Sequence, residues 1–218
     1  MVSDFNRMIK IFTLTVVLLA SVLPFSQARA NIPVTADPIP AASTNEAVTT
    51  KSSVIALSDF AAAIKDGKSV LRGVYVPDVM AFRVIQQPKN QNGFVSTIKG
   101  LVTQFGMASD YGTIGLLAHN FAAGSEFSKV LVGSKVSVIY GDGTIKEFIV
   151  TKISKYQALQ PNSSSSNFLD LETNEKLSAG MLFKTVYGGK AHLTLQTCIA
   201  QGKESSWGRL FIIAEPVK

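Results

Sequence analysis

The chain is poor in the residues from which most enzyme centres are built. Its 218 residues include one Cys, two His and one Trp, and only 17% are charged. A single Cys excludes an internal disulfide framework and a Cys-rich zinc site. Two His leave few ways to assemble any metal centre. The 16 Gly and eight Pro follow no fixed period, so the sequence is not collagen-like. What it has in quantity is apolar surface: 46% of residues are hydrophobic, enough to exclude wholesale disorder. The length fits one domain, or one domain and a tail. The net charge of +6 comes from 21 basic and 15 acidic residues. The basic residues are scattered and not interleaved with aromatics, so the concentrated positive footprint of a nucleic-acid groove is missing. A mild attraction to anionic cell-envelope polymers is what remains.

The amino terminus reads as an address. Asn6-Arg7-Met8-Ile9-Lys10 is a short basic start, Ile11 to Phe25 is free of charge, and Ala28-Arg29-Ala30 supplies small residues at the positions a signal peptidase reads. Residues 1–30 are therefore a signal peptide, or a membrane anchor if residues 8–28 stay in place with Lys10 reaching the interface. Either places the rest of the chain outside the cytoplasm, secreted or anchored on the extracytoplasmic side. Residues 31–52 are rich in Pro, Ala, Ser and Thr; Pro33, Pro38 and Pro40 suppress helix and remove sheet donors, which predicts a disordered linker. The globular domain is expected over 53–218.

Within it, Ser58-Asp59 before Phe60-Ala61-Ala62-Ala63-Ile64 and then Gly67 predicts one short capped helix. Strand signals dominate afterwards: Ser69 to Tyr75, Met80 to Gln86 and Thr113 to Ala118. Val136 to Tyr140 and Ile145 to Ile153 flank Gly141-Asp142-Gly143 and read as a hairpin. Leu182 to Tyr187, Ala191 to Cys198 and Gly208 to Glu215 bring the count to about eight. No βαβ rhythm is visible, so a mostly antiparallel β-barrel is expected. Between Ser154 and Gly180 lies a long polar stretch, functional or mobile by its length, in which Phe168 to Leu171 could form a short helix.

The lone Cys198 has two readings. Free Cys is usually a small buried apolar residue, but in an exported chain an unpaired thiol serves no disulfide, and Gln196 and Thr197 make its neighbourhood polar. A thiol nucleophile needs a proton-handling partner. His192 lies six residues upstream, about 20 Å away along an extended strand, and reads as a strand-face histidine. His119, at the exit of an apolar strand, is the candidate by elimination. Arg209 heads the strand after a turn near Gln201 to Ser206, where it could return beside Cys198 to stabilise an oxyanion or simply be that strand's solvated start.

These residues resemble the sortases, the cysteine transpeptidases of the bacterial cell envelope. Thr194-Leu195-Gln196-Thr197-Cys198 matches the Thr-Leu-x-Thr-Cys signature at every fixed position. Leu117-Ala118-His119-Asn120, continued by Phe121 to Phe127, looks like the histidine segment, and Gly208-Arg209-Leu210-Phe211-Ile212 like the arginine strand. The resemblance covers roughly Val70 to Pro216. The order His before Cys separates it from papain-like enzymes, and no Gly-x-Ser-x-Gly elbow supports a serine hydrolase.

The resemblance implies an eight-stranded antiparallel β-barrel with one or two short helices and Cys198, His119 and Arg209 as the catalytic set. Cys198 would form a thioester with a peptide sorting signal of a surface protein. His119 would move protons at the leaving and incoming amines, and Arg209 would hold the substrate and steady the oxyanion. The acceptor would be an amine on the cell wall or a pilin, with no nucleic acid and no cofactor. No compact acidic cluster is present to hold the calcium that some members bind. Asn120 and Thr197 are the substrate contacts the motifs suggest; the others stay open. The family usually carries a convincing membrane anchor, from which a cleaved export segment would depart. Two alternatives remain: a thiol peptidase whose thioester is resolved by water, and an inactive envelope-binding module of the same fold.

Overall fold

A computed structural model of the chain describes residues 55–218; the segments 1–30 and 31–52 lie outside them. Helix α1 (Leu57–Ala63) begins one residue before the expected cap: Ala56 is the N-cap and makes no side-chain bond, while the Ser58 hydroxyl turns to Asp59. Its buried face, Phe60 with Ile64 just beyond, packs on Tyr75 and Ile139.

Ten strands follow in one sheet. They are β1 (Leu71–Val76), β2 (Met80–Gln86), β3 (Leu101–Phe105), β4 (Ile114–Leu117), β5 (Lys135–Tyr140), β6 (Ile145–Ala158), β7 (Phe168–Asp170), β8 (Lys176–Leu177), β9 (Leu193–Gln201) and β10 (Glu204–Pro216). The order β10-β9-β4-β3-β2-β1-β5-β6, with β6 pairing back to β10, closes an eight-stranded barrel; β7 and β8 extend it as a flap on β6. The mostly β fold with few short helices is therefore as expected. Six of the eight barrel pairings are antiparallel, but β2–β3 and β4–β9 are parallel. The missing βαβ rhythm did not reveal these, because their connections cross the barrel's ends through loops and other strands.

Three element assignments change. Leu182 to Tyr187 is not a strand but part of helix α3 (Ala179–Tyr187), capped by the Ser178 hydroxyl accepting from the Met181 amide at 3.2 Å. Phe168 to Leu171 is not a helix; Phe168–Asp170 is β7, paired to β6. The barrel strand β3 carried no strong signal, and helix α2 (Gly106–Ser109) follows it directly. The polar stretch from Ser154 to Gly180 is thus largely built: β6 runs on to Ala158, and only 159–167 and 171–175 are loops.

Strands β9 and β10 are buried on both faces. Leu193, Leu195, Leu210 and Ile212 fill the barrel interior; burial of each contributes about 1.5–3 kcal/mol. On the outer face Phe211 meets Tyr156 and Tyr187, with Phe105 edge-on to Tyr187 and Phe183 tilted against it, beneath α3 and the flap. Among the described residues no helix is long and apolar enough to cross a membrane.

Candidate active site

The strand alternation that sends Leu195 and Leu210 inward sends Gln196, Cys198, Arg209 and Phe211 outward. Cys198 is the cross-strand partner of Arg209, which puts their Cβ atoms about 5 Å apart on the same face. On the other flank Leu117 pairs with Gln196, and the Ala118 amide donates to the Gln196 carbonyl at 3.1 Å. His119 is the next residue, just beyond this ladder, in the turn the chain makes on leaving β4. Cys198 and Arg209 thus occupy paired positions on β9 and β10, with His119 in the turn that follows β4. His192 is at the opposite end of β9, its ring nitrogens 2.7 Å from the Lys190 carbonyl and 3.0 Å from that of Val186.

Each member is held from behind. At His119 the chain leaves the ladder and turns: its carbonyl accepts from the amides of Ala122 (2.9 Å) and Gly124 (3.0 Å), starting a 3-10 helix over Ala123–Lys129. The imidazole stacks on Phe121 with ring centroids 4.8 Å apart. The Arg209 guanidinium donates through Nη1 to the carbonyls of Ser206 (2.8 Å) and Gly208 (2.9 Å) and through Nη2 to that of Pro161 (3.3 Å), above the Phe168 ring. Of its five N–H groups this leaves donors to spare. Cys198 is free and half-buried. Imidazole and guanidinium are each anchored by groups other than the sulfur.

Two cavities lie along β9 and β10, and Cys198 lines one of them. On the Arg209 side a groove of about 360 Å³ is lined by apolar side chains, among them Phe105, Leu117, Phe168, Leu182 and Val186. Across its floor the Tyr187 hydroxyl donates to Gln196 Oε1 at 2.6 Å. Burial pushes the Tyr187 phenol far above its ordinary value, so it stays a donor. On the other side a pocket of about 430 Å³ includes Cys198, Asn120, Ser125, Ser128 and Lys155. Asn120 also donates to the Ser205 carbonyl at 2.9 Å, tying the histidine turn to the β9–β10 hairpin.

Thr197, only 5% exposed, turns toward the barrel end, where its hydroxyl presses on Gly124 and has no hydrogen-bond partner. A buried hydroxyl without a partner carries a desolvation cost. Thr197→Val is therefore expected to raise unfolding stability by about 1 kcal/mol in urea titrations; a clear loss would mean that the hydroxyl is bonded after all.

Sequence reasoning missed Lys155 and the Tyr187–Gln196 bond; nothing local marks Lys155. Among the described residues, no three His, Cys, Asp or Glu side chains converge as metal ligands.

No protein-family model and no curated protein matches the chain. Solved structures similar to it include sortase A of Listeria monocytogenes, 17% identical over 69% of this chain and 89% of that one, with a TM-score of 0.42. Sortase C1 of Streptococcus suis is 15% identical over 69% and 74% of the two chains, TM-score 0.45. Sortase C of Clostridium perfringens is 12% identical over 74% and 82%, TM-score 0.43. The solved chains named here are all sortases, the family that this chain's own motifs resemble.

Proposed function

We propose that the chain is a cysteine transpeptidase of the sortase type. Cys198 attacks a peptide carbonyl in a sorting signal; a carbon–sulfur bond forms, the carbon–nitrogen bond breaks, and the leaving amine takes its proton from His119. An amine of the cell wall or of a pilin subunit then displaces the sulfur and returns a proton to His119, so one amide is exchanged for another with no oxidant or cofactor. The free N–H groups of Arg209 face the charge that develops on the carbonyl oxygen. Residues 1–30, as signal or anchor, would deliver the domain to the extracytoplasmic side, with residues 31–52 as its tether.

The observation that supports this reading is the β9–β10 register, which pairs Cys198 with Arg209, together with the β4–β9 ladder that ends just before the His119 turn. The test is intact-protein mass spectrometry after incubation with a library of short peptides, with and without an added amine. The expected result is a thioester on Cys198 that converts to amide product when amine is present. Free acid under every condition would replace this reading by a thiol peptidase. No adduct, together with a native Cys198 inert to iodoacetamide, would replace it by a binding module.

A further inference from the structure

We propose that Phe121 is the positioning residue for His119: its ring stacks on the imidazole and holds it in the orientation in which it moves a proton. In many catalytic sets a hydrogen-bonded carboxylate or amide takes that part. The inference rests on the reading that His119 is the acid–base group of a transpeptidase.

A proton-transferring histidine must be oriented as well as placed, because the proton travels along one nitrogen lone pair. The main chain of the turn is fixed by three bonds. The His119 carbonyl accepts from the amides of Ala122 at 2.9 Å and Gly124 at 3.0 Å, and the Asn120 side chain donates to the Ser205 carbonyl at 2.9 Å. None of these restrains the imidazole, whose χ1 and χ2 lie beyond the main chain. Among the described residues, every hydrogen bond to a histidine ring belongs to His192. What meets the His119 ring is Phe121, with centroids 4.8 Å apart and planes inclined by 14°. That is an offset, nearly parallel stack, a favoured arrangement of two flat rings. Rotation about χ1 or χ2 tips the imidazole out of it. The stack engages the face of the imidazole and leaves both nitrogens, at the ring's edge, open to a substrate.

Phe121 is itself 63% exposed, so replacing it removes little of the apolar area that stabilises the barrel. Its effect on rate can therefore be read apart from folding. Without the stack the imidazole samples other rotamers, and the competent fraction falls by the factor that the stack was worth. The loss falls on turnover and spares peptide binding, since Phe121 acts through His119 and not on the substrate.

The test compares the full chain with its Phe121→Leu and Phe121→Tyr variants. The first readout is the NMR spectrum of the histidine ring protons, with His119→Gln identifying which of the two sets belongs to His119. In wild type these protons are expected upfield of their free-histidine positions, shielded by the Phe121 ring; Phe121→Leu should release them and Phe121→Tyr should keep them. The second readout is transfer of a labelled peptide to an added amine. Phe121→Leu is expected to lower kcat about two- to tenfold, the range of one aromatic stack, with KM for the peptide unchanged, and Phe121→Tyr to restore it. Unshifted His119 protons in wild type, wild-type turnover in Phe121→Leu, or equal losses in both variants would overturn the inference and leave the transpeptidase reading standing. So would a change confined to KM, which would make Phe121 a peptide contact. Wild type that transfers no peptide overturns that reading, and the role given to Phe121 with it.

Discussion

Cys198→Ala is expected to lower acyl transfer by about a millionfold, the scale on which removing the nucleophile of a concerted catalytic set acts. His119→Ala should cost about 10²–10⁴-fold, as loss of positioned acid–base catalysis does. The Cys198→Ala/His119→Ala double variant should be no slower than Cys198→Ala, because without sulfur the imidazole has no thioester to serve. Single-turnover conversion of a labelled peptide reads all three. The variants should remain folded: Cys198 is half-buried beside an open pocket, and such substitutions usually change stability by no more than about 0.5 kcal/mol. Transfer that persists in Cys198→Ala would remove the sulfur from the chemistry and the proposed function with it.

The second large effect lies at Gly124. A Cβ there would stand 2.7 Å from the His119 carbonyl oxygen and 2.8 Å from that of Ala118, and would meet the Thr197 hydroxyl head-on. Two of these three obstacles are backbone and cannot rotate aside. Gly124→Ala must therefore push the histidine turn off the end of β9. It is expected to cost about 1–3 kcal/mol in urea unfolding, as overpacking does. Because the displaced carbonyl belongs to His119 itself, transfer should also fall about 100-fold, the effect of misplacing a reacting group by roughly 1 Å. Gly180→Ala is the control: a Cβ there meets nothing within 4 Å, and Gly180 sits in α3. Equal losses in the two variants would refute the steric account.

How far the sequence reached can be traced residue by residue. The β5–β6 hairpin was legible because Asp142-Gly143 lies between two alternating runs, and its turn is closed locally by the Thr144 amide on Asp142. The Cys198–Arg209 juxtaposition was legible for a similar reason: two strands joined by a short turn have a register fixed by nearby residues. Strand β3 was not legible, since half of what defines it is a parallel pairing with β2. Helix α3 misled because Thr185, Val186 and the aromatics Phe183 and Tyr187 favour strand, while packing on Tyr156 and Phe211 and the Ser178 cap decide for helix. Its buried positions, Leu182, Val186 and Tyr187, do carry a helical spacing that outweighs those propensities. Strand β7 was hidden likewise, as its three residues are too few to show a period and Phe168 is buried by tertiary contacts. The candidate trio is named by motif and elimination; where its histidine segment sits depends on the β4–β9 ladder, which no local pattern encodes.

That ladder also governs when the crevice can come into being. Its strands are brought together across a long stretch of chain; Thr113 and His192, at its start, are 79 residues apart. Closing so large a loop is entropically slow and must precede any reward from the contacts it enables. The histidine turn and the cysteine strand therefore come together only after the intervening strands have wrapped round, late in folding. A half-assembled polypeptide would carry Cys198 without these surroundings, and the thiol's environment would be set only with completion of the barrel.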